Sequence, residues 1–458
     1  MISDLEVFER AVKGPLMSEQ DFDLNLFIPH LKKIVKEYGF HYDPENPVPC
    51  DDALADWMFQ AAVDLVEQVG FFCKDTSRVI HFTREEILRA VRDASGTCRV
   101  GEGKDARVFS MRSPEDGKVP WQHVGSGIVA TCEEYMTGLV GSYAAISQAN
   151  SISISALDRL YGLPVIAGSP LELYAAIRGV RIGREALRQA GRPGLPILNL
   201  ISTSAAAVTT LAASAPQFGL RPSDGWLVGS TAEMKIDFSA MNKTAYLLNS
   251  GANIGAETSP ILGGYCGGPE GTAVASTAYI LMGLLVQKGN YQLTFPVHFR
   301  YGCSTPRNVL WTVSISCQAA SRNIPMPVIW LGYIAAGPAT AMYFYESAAY
   351  LLAAVVSGAP GVQTPHPAKA TLIDGITPVE ARFGVDTAIA ASKFSRAQAN
   401  ELVKRLLDKY ESQLEHAPAG SRFQDCCDPL TGRPGAEYQR LIDQIKNELT
   451  NFGLNYKD

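Results

Sequence analysis

Six apolar runs recur along the chain, beginning near residues 195, 232, 260, 293, 327 and 360. Most lead into a stretch with helical patterning: 195–201 into the alanine-rich 205–214, 234–238 into 240–249, 293–299 into 306–320, and 326–332 into 339–357. A repeat of roughly 30 to 35 residues is the length of one βα unit. Six such units with right-handed crossovers lead to a (β/α)8 TIM barrel, completed by one or two strands from residues 118–170. A doubly wound open sheet is the competing fold, but no Gly-x-Gly-x-x-Gly fingerprint follows the first strand to support it. The expected organisation is an N-terminal helical extension over 1–115, the barrel over 116–392 and C-terminal helices over 393–458.

Charge is distributed unevenly. Only 13 of the 169 residues from 195 to 363 are Asp, Glu, Lys or Arg, although such residues make up 19% of the chain. Barrel helices facing water need charge, so the apolar stretches 272–287 and 339–357 must be covered, by the terminal segments or by a neighbouring subunit. Membrane spans are the weaker account: Glu346 interrupts one stretch, the other is short, and neither has basic flanks. The net charge of -6 and the lack of a basic face argue against nucleic acid as a partner. Acids and bases mixed through the first thirteen residues, with nine scattered cysteines, lead us to expect a reduced cytoplasmic protein without a signal peptide.

The flanks read as packing layers. Asp51 or Asp52 can cap a helix with Leu54, Trp57, Met58, Ala61 and Leu65 on its apolar face, ended by Gly70. Thr83 and Glu86 have capping-box spacing, and residues 71–73 and 79–82 read as a hairpin. Residues 395–415 and 438–452 are amphipathic helices.

Catalytic groups of a barrel come from the carboxyl ends of its strands. Glu233, Lys235 and Asp237 share one face of a strand by period two, and inside a barrel they would form a buried charge cluster. Glu257 precedes a segment with five glycines between Pro260 and Thr272, where the backbone can turn sharply or let a ligand approach. His298 and Tyr333 follow at later strand ends. Glu233, Cys266 and Cys303 could bind zinc with an open position, although cysteine is also a common small buried residue.

These residues carry a resemblance. The stretches Ala-Gly-Arg-Pro-Gly (190–194), Glu-Met-Lys-Ile-Asp (233–237), Gly-Gly-Tyr-Cys-Gly-Gly (263–268), Pro-Val-His-Phe-Arg (296–300), Ala-Gly-Pro (336–338), Ala-Pro-Ala-Gly (417–420) and Phe-Gln-Asp (423–425) resemble the monomethylamine methyltransferase family of methanogens. The resemblance implies a (β/α)8 barrel and a homo-oligomer such as a hexamer. It also implies transfer of a substrate methyl group to the cobalt of a corrinoid on a separate partner protein, with no tightly bound cofactor of the chain's own. The donor would sit in a negatively charged pocket at the barrel mouth, with the corrinoid docked over it. Glu233 and Glu257 match family carboxylates. The family's pyrrolysine falls at or near Leu198, its nearby acidic residue at Ile201, and a family glutamine at Leu331. The chain therefore resembles a non-pyrrolysine member, for which monomethylamine is not the expected substrate.

The expected site has Glu233, Glu257 and His298 as catalytic groups and Leu198, Trp330, Leu331 and Tyr333 around the donor. Gly263, Gly264, Gly267 and Gly268 would give a flat corrinoid room to approach. A quaternary amine could be held by charge and cation–π contact, whereas an O-methyl donor would need an acid such as His298. N-methyl is preferred. The alternatives are a zinc-dependent methanol-type O-methyl:corrinoid methyltransferase, a corrinoid-independent barrel lyase or isomerase using Glu257 and His298, and a non-catalytic binding relative.

Overall fold

The computed structural model describes residues 2–199 and 215–456, and its centre is one sheet of eight parallel strands. In chain order these are β1 (Trp121–Val124), β2 (Ser151–Ile152), β3 (Leu198–Asn199), β4 (Gly225–Gly229), β5 (Asn253–Thr258), β6 (Tyr291–Thr294), β7 (Val328–Trp330) and β8 (Gly361–Gln363). From β3 to β8 each strand pairs with the next in the chain; β8 then pairs with β1, and β1 with β2. A single parallel bridge joins Ile152 to Ile197, and the Ile152 amide donates to the Pro196 carbonyl at 3.0 Å. Among the described residues a helix follows β1, β2 and each strand from β4 to β8; beyond β3 the chain enters residues 200–214. The expected helix over 205–214 lies outside the described residues. The fold is α/β.

Two of the six apolar runs are not strands of this sheet. Lys235–Ile236 pairs instead with Phe71–Cys73 of the N-terminal extension, with Lys235 opposite Phe72. The strand of that unit is β4, earlier in the chain. Ile261–Leu262 lies beyond the end of β5 and pairs with Val297–His298. Period two shows which residues share a face but not which sheet the face belongs to, and this misplaced the charge cluster. Lys235 meets Asp23 and Glu19, each at 2.8 Å, outside the sheet interior. Asp237 caps the helix Phe238–Asn249 by accepting from the Ala240 amide at 2.8 Å.

The charge-poor helices are covered by the chain's own termini. Asp52–Val69 packs on Pro269–Leu285 and Arg307–Asn323, while Arg396–Tyr410 and Ala436–Asn451 pack on Ala341–Val356. Among the described residues no helix is long and apolar enough to cross a membrane. The local signals placed these elements well. Asp51 accepts from the Leu54 amide at 3.0 Å, Gly70 ends the helix, and Thr83 and Glu86 make both bonds of a capping box. Trp57 departs from expectation: it is 56% exposed, because the buried stripe runs through Met58, Ala62, Leu65 and Val69.

Candidate active site

A cavity of about 240 Å³ lies at the carboxyl ends of the parallel strands. Its walls include residues 127–129 beyond β1, Ser153 and Ile154 beyond β2, Leu227 of β4, Glu257 of β5 and Leu293 of β6. Leu331 and Tyr333 beyond β7, Gln363 of β8, and His366 also line it. Ligand sites of parallel α/β folds form at this end because the loops leaving several strands converge there.

Alternation along β7 decides which side chains can reach the cavity. Ile329 and Leu331 join Leu198, Leu227, Tyr291 and Leu293 in an apolar cluster inside the sheet, with Phe295 and Tyr333 packed on it. Trp330 points the opposite way, fully buried in the outer cluster beneath the helices. It cannot hold a donor in the cavity; consecutive strand residues face opposite sides of a sheet. Leu198 is 1% exposed within the inner cluster, opposite Gly225 at the start of β4, so it lies below the residues that line the cavity. Ile201 is outside the described residues.

Glu257 is next to last in β5, not in a loop after it, and its carboxylate accepts no hydrogen bond from a described side chain or amide. Burial pushes its carboxyl up to about 7, with the Lys243 ammonium pulling the other way. Tyr333 stacks on Phe295 with centroids 4.8 Å apart and lies 5.5 Å from the His366 ring. Burial, with the nearby Glu257 charge, raises the Tyr333 phenol, so it stays protonated. Burial, assisted by His123, pushes His366 down to about 3, so the imidazole is neutral.

Glu233 does not line this cavity. Its Oε2 accepts from the Cys266 thiol at 2.5 Å, and its surroundings are Ile261, Lys235 and Asp23. Burial also pushes this carboxyl up to about 7, against the opposing pull of the Cys266 bond. Cys303 lies elsewhere, accepting from the Thr305 hydroxyl at 3.7 Å near Glu346. The Glu233, Cys266 and Cys303 set therefore does not gather. Among the described residues no three His, Cys, Asp or Glu side chains stand together as a metal-binding group.

His298 also sits away from the cavity. Its Nδ1 accepts from the Arg300 amide at 3.1 Å, its ring packs 4.7 Å from Tyr301, and burial with the Arg300 charge lowers its pKa. Gly263, Gly264, Gly267 and Gly268 form an exposed turn beside it and are not cavity lining. Gly263 and Gly267 take φ of +88° and +70°, which L side chains rarely adopt, and a β-carbon on Gly267 would meet nothing within 4 Å.

The sequence reading missed Ser153, Gln363 and His366. The rule that found Tyr333 at the end of one strand applies equally to Gln363-Thr-Pro-His366 at the end of another. The residues after β2 had no comparable signal, because a two-residue strand leaves little periodicity.

Residues 2–454 match the family described as monomethylamine methyltransferase MtmB. The chain is 28% identical over 449 residues to monomethylamine methyltransferase MtmB2 of Methanosarcina acetivorans, covering 98% of this chain and 97% of the relative. It is 29% identical, with the same coverage, to MtmB of Methanosarcina mazei. The crystal structure of the Methanosarcina barkeri monomethylamine methyltransferase matches with a TM-score of 0.94 and 28% identity, over 99% of this chain and 98% of that one. A structure of the hydroxylamine MtmB complex matches equally well, with a TM-score of 0.94. Matched over nearly its whole length in both sequence and fold, the chain belongs to the monomethylamine methyltransferase family and is a corrinoid-dependent methyltransferase.

Proposed function

We propose that the protein takes a methyl group from a small N-methylated cation other than monomethylamine and passes it to a Co(I) corrinoid carried by a partner protein. The observation that carries this reading is Glu257 at the wall of the strand-end cavity, beside the Tyr333–Phe295 stack. A carboxylate at a cavity wall attracts a cation, and an aromatic face adds to the attraction. Leu331, where the resemblance places a glutamine, leaves this wall apolar, and Leu198, at or near the pyrrolysine position, packs beneath it. The cavity volume also exceeds what an amine of two heavy atoms fills, at about 30 Å³ for each water-sized group.

The corrinoid supplies a strong cobalt nucleophile. The chain's residues bind and orient the donor, and they exclude water from it. The carbon–nitrogen bond breaks with its electron pair remaining on nitrogen, so a quaternary donor leaves as a neutral amine and needs no proton. An O-methyl donor would need an acid, and His298, the acid expected for it, is not among the cavity's described lining residues. The exposed turn at Gly263 and Gly267, beside His298, leaves its own surface low and open, compatible with the approach of a flat group there.

The ring-like strand order and the Ile152–Ile197 bridge support a closed (β/α)8 barrel over 116–392, with 1–115 and 393–458 as covering layers. Exposed Tyr161, Leu163, Ile166 and Tyr174 lie close together in sequence and support assembly into a homo-oligomer. Cytoplasmic placement rests on the free cysteines. Incubation with a reduced corrinoid protein and a panel of methylated amines and ethers tests the function, read as demethylated product. No transfer from any donor would overturn the class, and monomethylamine as the fastest donor would overturn the proposed substrate.

A further inference from the structure

The cavity lining carries two polar side-chain atoms that no described residue satisfies. Gln363 is 3% exposed and His366 5%, both line the cavity, and neither Gln363 Oε1 nor His366 Nδ1 has a hydrogen-bond partner among the described residues. The Gln363 amide nitrogen lies 3.1 Å from the Gly125 carbonyl, so it must be the donor there, and this fixes the amide orientation. The same nitrogen lies 3.3 Å from His366 Nε2. Since that nitrogen can only donate, His366 Nε2 accepts, and the ring proton resides on Nδ1. The two lining side chains thus hold one spare acceptor, Gln363 Oε1, and one spare donor, His366 Nδ1–H, both buried at the cavity wall. A buried polar atom without a partner is costly, and such atoms in native proteins call for an explanation.

We propose that Gln363 and His366 form a second recognition subsite that takes a hydroxyl group of the methyl donor, which makes the preferred substrate an N-methylated amino alcohol. The inference rests on the reading of Glu257 as the cation site. A hydroxyl suits the pair because it can donate to Gln363 Oε1 and accept from His366 Nδ1–H. A carboxylate suits it poorly: it has no proton for Gln363 Oε1, and no lysine or arginine is among the described lining residues. One cavity then recognises the charged nitrogen at Glu257 and Tyr333 and the neutral end at Gln363 and His366. Selection against a plain amine follows, since the plain amine leaves both wall atoms unpaired.

Calorimetry on the full chain tests this with three quaternary ammonium probes of similar size: one bearing a hydroxyl, one an alkyl group in its place, one a carboxylate. The hydroxylated probe should bind about tenfold more tightly than the alkyl one, the worth of one or two buried hydrogen bonds. Gln363→Leu and His366→Phe should each shrink that ratio towards one while leaving the alkyl probe's affinity within about threefold. Should either variant misfold, the probe series on the unaltered protein still decides. Equal binding of the hydroxyl and alkyl probes, or tightest binding of the carboxylate probe, overturns the subsite and leaves the Glu257 reading standing. Binding of none of the three overturns both.

Discussion

Glu233 and Glu257 reach the same place on the pH scale, about 7, and burial is the main cause for both. Their surroundings differ. Glu233 has a thiol donor in Cys266 and sits where the chain's N-terminal layer meets the sheet, close to the Lys235–Asp23 pair. Glu257 opens to a cavity and draws no hydrogen bond from its described neighbours. A raised carboxyl marks burial alone; it marks a site only when the group faces space that a ligand can enter. On that criterion the proposed cation site belongs to Glu257, which lines the cavity, while Glu233 lies outside it against Cys266.

The largest test of that division falls on the architectural side. Lys235 is buried against Asp23, so Lys235→Met should cost about 3 kcal/mol or more in stability by leaving that carboxylate unpaired, measured by chemical denaturation. Donor affinity should hardly change; a large loss of affinity would show that the two regions are not separate. Next comes Glu257→Gln, which should weaken a cationic donor by about ten- to a hundredfold in calorimetry. Glu233→Gln should stay within about threefold, and a comparable loss there would erase the distinction.

The pH dependence separates the two further. Below about 7 Glu257 holds a proton and loses its attraction for a cation, so donor binding should weaken on acidification by up to about tenfold per pH unit, and Glu257→Gln should abolish the slope. Stability runs the other way. Between the ordinary carboxyl value of 4.5 and about 7 the unfolded chain has released the Glu233 proton while the folded chain retains it, so folding loses stability as pH rises through that window. Thermal melts of Glu233→Gln against the parent should show a flatter decline. The smallest effect belongs to the glycine turn. Gly267→Ala, at φ +70°, should cost about 1 kcal/mol of stability without touching donor affinity, and any drop in transfer to the corrinoid partner would then locate the docking face.

The sequence alone determined the βα rhythm, the helix caps at Asp51 and Thr83, the coverage of the charge-poor helices and the family. Each is written in neighbouring residues or in a repeating pattern, and Glu257 and Tyr333 were legible for the same reason, as polar groups at strand ends. Only the tertiary structure decided which strand each charge belonged to. Lys235 left the sheet for the carboxylates of Asp23 and Glu19, more than 200 positions earlier in the numbering, because a buried ammonium needs counter-charge wherever the fold supplies it. Tertiary structure likewise turned Trp330 outward, parted Cys303 from Cys266, and brought Gln363 and His366 to face the same space as Glu257. Those outcomes depend on the register and facing of eight strands brought together from distant parts of the chain, and no local pattern encodes that.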